Sequence, residues 1–309
     1  MKNIIFDCDP GHDDAIALLL AGQTKFFKVV GVTTEAGNQT IEKTTQNALN
    51  LVRFFSLGIR VYPGSGQPII REPITCPQIH GETGLDGFEF PVNYDEPSPT
   101  NAVEAIHFLT RKYRNVTIIA TGPLTNVALT LKAFPNIKEN IDEIIFMGGS
   151  VDNGNVSPAA EFNILCDPEA LDIVLKSGVP VKMVGLNVTR KVLVTKEVIE
   201  RMNKIPGYVS KLFVDLMTVF NQNQAKIFHN FIGGPLHDPV TVASLIDENL
   251  VKWQPMNVEV DLSHLSSYGR TNCDVFDYLK KPHNCLVAMD IDVDRFWDII
   301  EEGIKSYGY

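Results

Sequence analysis

The chain has 309 residues, 44% of them hydrophobic and 21% charged, with 22 Gly and 18 Pro. That composition is ordinary for a globular protein with a sizeable core, and it excludes disordered, collagen-like and low-complexity classes. A net charge of −10 runs against a nucleic-acid or anionic-membrane partner, because both need clustered excess cations. Five cysteines, an odd number without a C-x-x-C pair, read as reduced thiols of a cytoplasmic protein. Only Ile4-Ile5-Phe6 precede Asp7 as an apolar run, and no uncharged stretch is long enough to cross a bilayer, so neither secretion nor membrane insertion is expected.

Taken in order, short apolar runs at residues 4–6, 29–32, 59–62, 116–120, 144–147 and 181–184 read as strands. Several are apolar throughout, as strands buried on both faces are. Residues 38–57 carry helical spacing through Ile41, Ala48, Leu51, Val52 and Phe55, with Gly58 as a stop signal. Strand and helix alternate, which predicts an α/β fold with a mostly parallel sheet covered on both sides. Two segments break the rhythm. Residues 63–100 are rich in Pro and Gly, too long for an ordinary connection, and read as an active-site flap or decoration. Residues 190–232 look helical and carry Phe213, Met217, Phe220, Phe228 and Phe231, an inserted helical pair over the sheet edge. Neither resembles a linker, so residues 1–309 are expected to form one domain with these two insertions.

The densest chemical signal is Asp7-Cys8-Asp9-Pro10-Gly11-His12-Asp13-Asp14, where the first strand hands over to the first helix. Strand alternation places Asp7 and Asp9 on one side, Pro10-Gly11 turns the chain, and Asp13 and Asp14 fall in the first helical turn. Four carboxylates this close repel one another unless a cation sits among them. All the donors are hard oxygens, which points to Ca²⁺ or Mg²⁺ rather than zinc. Taken singly, Asp13 and Asp14 also suit the helix dipole, and Asp9 suits a helix cap.

This stretch, extended to Ala15, resembles the amino-terminal signature of the inosine-uridine preferring nucleoside hydrolases, which cleave the N-glycosidic bond of ribonucleosides. The likeness continues in family order through Gly37-Asn38-Gln39-Thr40, His80-Gly81-Glu82-Thr83-Gly84-Leu85-Asp86-Gly87 and Thr121-Gly122-Pro123-Leu124-Thr125-Asn126. It ends with Met147-Gly148-Gly149, Glu161-Phe162-Asn163-Ile164 and His237-Asp238-Pro239. The resemblance implies a single α/β domain with a mostly parallel, Rossmann-like central sheet flanked by helices. It also implies one Ca²⁺ per subunit, held by Asp9, Asp14, Asp238 and the Thr121 carbonyl, with a water and the ribose hydroxyls completing its shell. Asp9 would take the proton of the metal-bound water that attacks the anomeric carbon. A homodimer or homotetramer working in purine or pyrimidine salvage is the expected setting.

Hydrolysis builds positive charge on the sugar and negative charge on the base, so polar groups should converge on the ribose. By resemblance these are Asp13, Asn38, Asn155, Glu161 and Asn163. Glu161 and Asn163, two apart, can face one way from an extended segment. An Asn here also suits a turn or a helix cap, Asn38 above all. His80 in the long loop and His237 beside Asp238 can each protonate or hydrogen-bond the departing base, and family position makes His237 the better acid. Met147 and Phe162 suit either core or pocket wall. Family members place a tyrosine in the helical segment before the His-Asp motif, whereas His229 stands near that position here. It can meet a pyrimidine or a purine edge, or simply be solvated, so the preferred base stays open.

Two other classes compete. A Mg²⁺-dependent phosphatase of the haloacid dehalogenase type also uses two aspartates after a first strand, but it wants a small residue and a Thr or Val after the second Asp, where Pro10-Gly11-His12-Asp13-Asp14 stands here. A non-catalytic nucleoside-binding protein would keep the ribose contacts without needing Asp9 and His237 in reactive places.

Overall fold

The computed structural model describes residues 1–308. Its centre is an eight-stranded sheet. The first six strands are β1 (Lys2–Cys8), β2 (Phe27–Thr34), β3 (Val61–Pro63), β4 (Val116–Ala120), β5 (Ile141–Met147) and β6 (Val181–Val184). They lie in the order β3-β2-β1-β4-β5-β6, every pair parallel. Two further strands extend the β6 side and were not anticipated from the sequence: Cys285–Ile291, parallel to β6, and Val251–Met256, antiparallel at the edge. Val251–Met256, with Lys252, Gln254 and Pro255, carries a weaker apolar signal than β4 and β5, whereas Cys285–Ile291 opens on an apolar run from Cys285 to Met289.

β4 is buried at every position because helices cover both faces of the sheet, which form two separate apolar clusters. On one face lies α1 (His12–Ala21), buried along its whole length. An all-round apolar helix of this kind belongs in an interior rather than on a surface. The expected helix at 38–57 forms as α2 (Ile41–Phe54), starting at the Thr40 N-cap. Asn38 is therefore not its cap.

The two insertions meet where the helix Tyr208–Ala225 packs against the helix Pro77–His80 and against α1. Residues 64–101 are irregular apart from the short helix Pro77–His80, which Pro77 opens at its first position. They are fastened to the sheet's carboxyl end by Ser65 N–H to Asn126 Oδ1 (2.9 Å) and Cys76 N–H to the Asn38 carbonyl (3.0 Å). Within 190–232 stand the helices Lys196–Asn203 and Tyr208–Ala225. The longer one ends at Ala225, so Phe228, His229 and Phe231 lie past its end and not on it. Phe213, Met217 and Phe220 are buried, while Phe228 is half exposed.

In the order 3-2-1-4-5-6 the direction of winding reverses between β1 and β4, and a crevice opens there at the strands' carboxyl ends. The acidic stretch follows β1 directly. Among the described residues no helix is long and apolar enough to cross a membrane.

Candidate active site

A cavity of about 440 Å³ opens at this crevice. Its floor is made by the segments that leave β1, β2 and β4. The Asp14 carboxylate is held from three sides: by the Gly11 N–H (2.8 Å), the Thr121 hydroxyl (2.6 Å) and the Asn38 amide (3.2 Å). Asp9 Oδ2 accepts the Asn38 backbone N–H at 2.7 Å, and its Oδ1 is buried without a partner. Gly37 permits this approach, since a Cβ at that position would lie 2.1 Å from Asp9 Oδ2. Asp13, Asp14 and Asp238 bring one oxygen each within 4.8 Å of one another, and Asp9 stands beside that trio.

No ammonium or guanidinium partner serves these four among the described residues; their neighbours are one another, Asn38, Thr121 and backbone N–H groups. Burial pushes Asp13 up to about 7 and Asp14 up to about 6, and lifts Asp9 and Asp238 well above the carboxylate range, with Asp14 adding repulsion at Asp9 and Asp13 adding it at Asp238. An orphaned buried oxygen beside three crowded carboxylates is the environment a hard divalent cation satisfies.

Asp7 does not join them, contrary to the alternation argument. Its Oδ1 accepts from the Thr33 hydroxyl and from Asn126 Nδ2 (2.9 Å), which hold it between β2 and the segment after β4. β1 ends at Cys8, so the two-residue alternation does not carry through to Asp9.

The wall over β5 holds Met147, Asn155, Glu161, Phe162 and Asn163. Glu161 caps the helix Phe162–Cys166, and Asn163 lies in its first turn, so the pair sits at a helix start and not on an extended segment. The Glu161 carboxylate accepts three backbone N–H groups, from Gly149, Asn163 and Ile164, while burial raises it to about 7. Asn163 Nδ2 donates to the Thr121 carbonyl at 2.8 Å and to the Met147 carbonyl at 3.1 Å. Asn38 spends its amide N–H groups on the Asp9 carbonyl and on Asp14, which makes it first a holder of carboxylates.

Opposite stand the imidazoles. His80 Nδ1 accepts the His12 backbone N–H at 3.2 Å, and the two rings stack at 5.5 Å between centroids, with Phe220 against both. His12 Nε2 lies 2.8 Å from the Asp86 carbonyl, which can only accept, so this nitrogen carries the proton. His237 Nδ1 is 2.6 Å from the Thr189 hydroxyl. Burial lowers His12 to about 4 and His237 to about 3 and takes His80 well below its ordinary value. All three rings are neutral at pH 7.

Of the residues singled out from sequence, Asp13, Asn38, His80, Thr121, Met147, Asn155, Glu161, Phe162, Asn163, His229, His237 and Asp238 line the cavity. Asp9 and Asp14 lie just beneath its floor, almost wholly buried. Sequence reasoning missed Phe220, Gln224, Arg190 and Cys76 on the wall and His12 behind His80. Phe220 and Gln224, four apart, share one face of the helix Tyr208–Ala225, a signal that was available.

A model of the inosine-uridine preferring nucleoside hydrolase family matches residues 4–298. The chain belongs to that family. This nucleoside hydrolase is 42% identical over 309 residues to a pyrimidine-specific ribonucleoside hydrolase RihB of Escherichia coli, covering 99% of this chain and 98% of the relative. It is 41% identical over 307 residues, with the same coverage, to the RihB of Shigella flexneri. Among solved structures it superposes on a purine-preferring ribonucleoside hydrolase from Gardnerella vaginalis with a TM-score of 0.92, at 31% identity and 99% coverage of each chain. A plant nucleoside hydrolase gives 0.91 at 29% identity, with 98% of each chain covered. The expected fold class is thus confirmed, and the activity is hydrolysis of the N-glycosidic bond of ribonucleosides, which leaves the phosphatase reading without support.

Proposed function

We propose that this nucleoside hydrolase cleaves ribonucleosides to base and ribose by direct attack of water at the anomeric carbon, with Asp9 as general base and His237 as the acid for the leaving group. The observation that carries the reading is the unpartnered, buried Oδ1 of Asp9 beneath a cavity whose opposite wall presents neutral imidazoles. Asp9, Asp14, Asp238 and the Thr121 carbonyl would hold one Ca²⁺. When bound, the ion lowers the pKa of a neighbouring water and offers coordination to ribose hydroxyls.

The chain's own groups do the rest. Asp9, fixed by the Asn38 N–H, accepts a proton from the attacking water. Asp13, Asn155, Glu161 and Asn163 supply the polar contacts that orient the ribose, Asn38 adds its amide oxygen, and Met147 and Phe162 shield one side. On the base side, Thr189 donating to His237 Nδ1 leaves the proton on Nε2. The negative charge that builds on the departing base draws that proton across. His80 Nε2, free because Nδ1 is engaged by His12, is a second donor, and His229 at the mouth meets the base edge. Likeness to the pyrimidine-specific relatives ranks uridine and cytidine first among substrates. A cytoplasmic homo-oligomer serving nucleoside salvage completes the reading, on family resemblance.

The test compares His237→Ala with wild type on uridine and on p-nitrophenyl riboside, whose leaving group needs no protonation. General acid assistance is worth roughly 10²–10⁴-fold, so the expected result is a loss of about 10²-fold or more on uridine and less than about fivefold on the nitrophenyl substrate. Equal losses on both would remove His237 from the acid role.

A further inference from the structure

The segment between β5 and the helix Phe162–Cys166 crosses the mouth of the cavity and carries Asn155. It closes on itself through Gly154 N–H to the Pro158 carbonyl (3.2 Å) and Asn155 N–H to the Ala160 carbonyl (3.1 Å). The turn needs glycine at 154, where a Cβ would lie 2.1 Å from the Ala160 oxygen. Asn155 Oδ1 accepts the Phe162 N–H at 2.9 Å, which leaves its NH₂ group for a ligand. Yet Asp152, Asn153, Asn155 and Val156 are all solvent-exposed, and a polar loop of this kind has little packing to hold it in one place.

One side chain from elsewhere fastens the loop just before Asn155. Arg190 Nη1 donates to the Asn153 carbonyl at 3.1 Å, and Nη2 donates to the Gly154 carbonyl at 2.6 Å. A planar guanidinium can take two successive carbonyls in this way, whereas an ammonium offers a single point of attachment. Arg190 is itself set at the end of the short helix Leu186–Thr189, its N–H bonded to the Leu186 carbonyl at 3.1 Å. The preceding residue, Thr189, holds His237. Arg190 is also the only lysine or arginine on the cavity wall among the described residues.

We infer that Arg190 is a positioning residue for sugar recognition: its guanidinium clamps the carbonyls of Asn153 and Gly154 and so presents the Asn155 amide to a ribose hydroxyl. The inference rests on the ribonucleoside reading above and on Asn155 as a ribose contact. It assigns to Arg190 an effect on sugar binding that passes through Asn155; the guanidinium charge also helps to hold His237 low, an effect on leaving-group protonation that the cycle with Asn155→Ala separates from the one inferred here.

A double-mutant cycle on kcat/KM for uridine tests this, with Arg190→Gln, Asn155→Ala and the double variant measured beside wild type. Arg190→Gln is expected to lower kcat/KM by about tenfold, mainly through KM, because a ground-state contact is being loosened. In the Asn155→Ala background the same change is expected to cost less than about twofold, since residues acting as one unit are non-additive. Arg190→Lys should fall between wild type and Arg190→Gln. Independent, multiplicative losses would overturn the inference, as would an Arg190→Gln variant with wild-type KM. Should Arg190→Gln fold poorly by circular dichroism, the Arg190→Lys cycle carries the same two outcomes. Absence of ribose release by wild type in the same assay would instead defeat the functional reading and is seen separately.

Discussion

Replacing Asp9 with Asn is expected to lower kcat for ribonucleosides by about 10³-fold or more, within the range that loss of a general base produces. The substitution keeps the shape of the side chain and an oxygen able to accept the Asn38 N–H, so the loss reports chemistry and not collapse of the floor. Stability should move the other way. Asp9 is fully buried and its ionised form is disfavoured by burial and by Asp14, so a neutral amide relieves repulsion. The cation-free Asp9→Asn protein should therefore melt no lower than cation-free wild type. Steady-state kinetics paired with thermal unfolding checks both parts. A variant that keeps more than a tenth of wild-type kcat removes Asp9 from the role of base.

Much of this site could be read from the chain because its chemistry is local. Asp9, Asp13 and Asp14 are separated by one tight turn, and a strand-turn-helix pattern is enough to bring their oxygens together. Asp7 was misplaced for the opposite reason: its partners, Thr33 and Asn126, arrive from β2 and from the segment after β4, and no spacing within the motif announces them. The same holds for Arg190, whose two acceptors lie more than thirty residues away, and for His12, whose place behind His80 depends on a loop carrying His80 and Asp86 to it. The strand Val251–Met256 escaped because Lys252, Gln254 and Pro255 break its apolar pattern, whereas Cys285–Ile291 opens on the apolar run Cys285 to Met289, a signal that was available. The long Pro- and Gly-rich segment was legible as irregular. That it builds a wall of the site follows only from Pro77 starting a single helical turn that ends on His80.

Removing the divalent cation is the second large perturbation. Chelation should reduce turnover by about 10²-fold or more, since a cation contributes both charge stabilisation and an activated water. It should also impose a distinctive pH dependence on stability. Without the ion, Asp13 titrates at about 7 and Asp14 at about 6, above the ordinary 3.8, with burial as the largest cause. Between 3.8 and about 7 the folded chain then binds more protons than the unfolded chain, so stability falls as pH rises across that window. A cation reverses the preference by stabilising the ionised carboxylates. The gain in Tm on adding saturating Ca²⁺ is therefore expected to be larger at pH 8 than at pH 5, by on the order of 5 °C. Comparing each pH with and without Ca²⁺ cancels the surface groups. A gain that shrinks as pH rises would show that these carboxylates are not what the ion binds.

The central claim is that the carboxylates after β1, together with Asp238, are a seat for one divalent cation. Calorimetric titration of the chelator-treated protein with Ca²⁺ at pH 6.5, run in two buffers of different ionisation enthalpy, measures this directly. The account predicts one ion per chain, protons released on binding because raised carboxyls must ionise to ligate, and no detectable binding by the Asp14→Asn/Asp238→Asn variant. Undiminished Ca²⁺ binding by that variant, or a wild-type protein that takes up no ion while hydrolysing uridine at full rate, would contradict it.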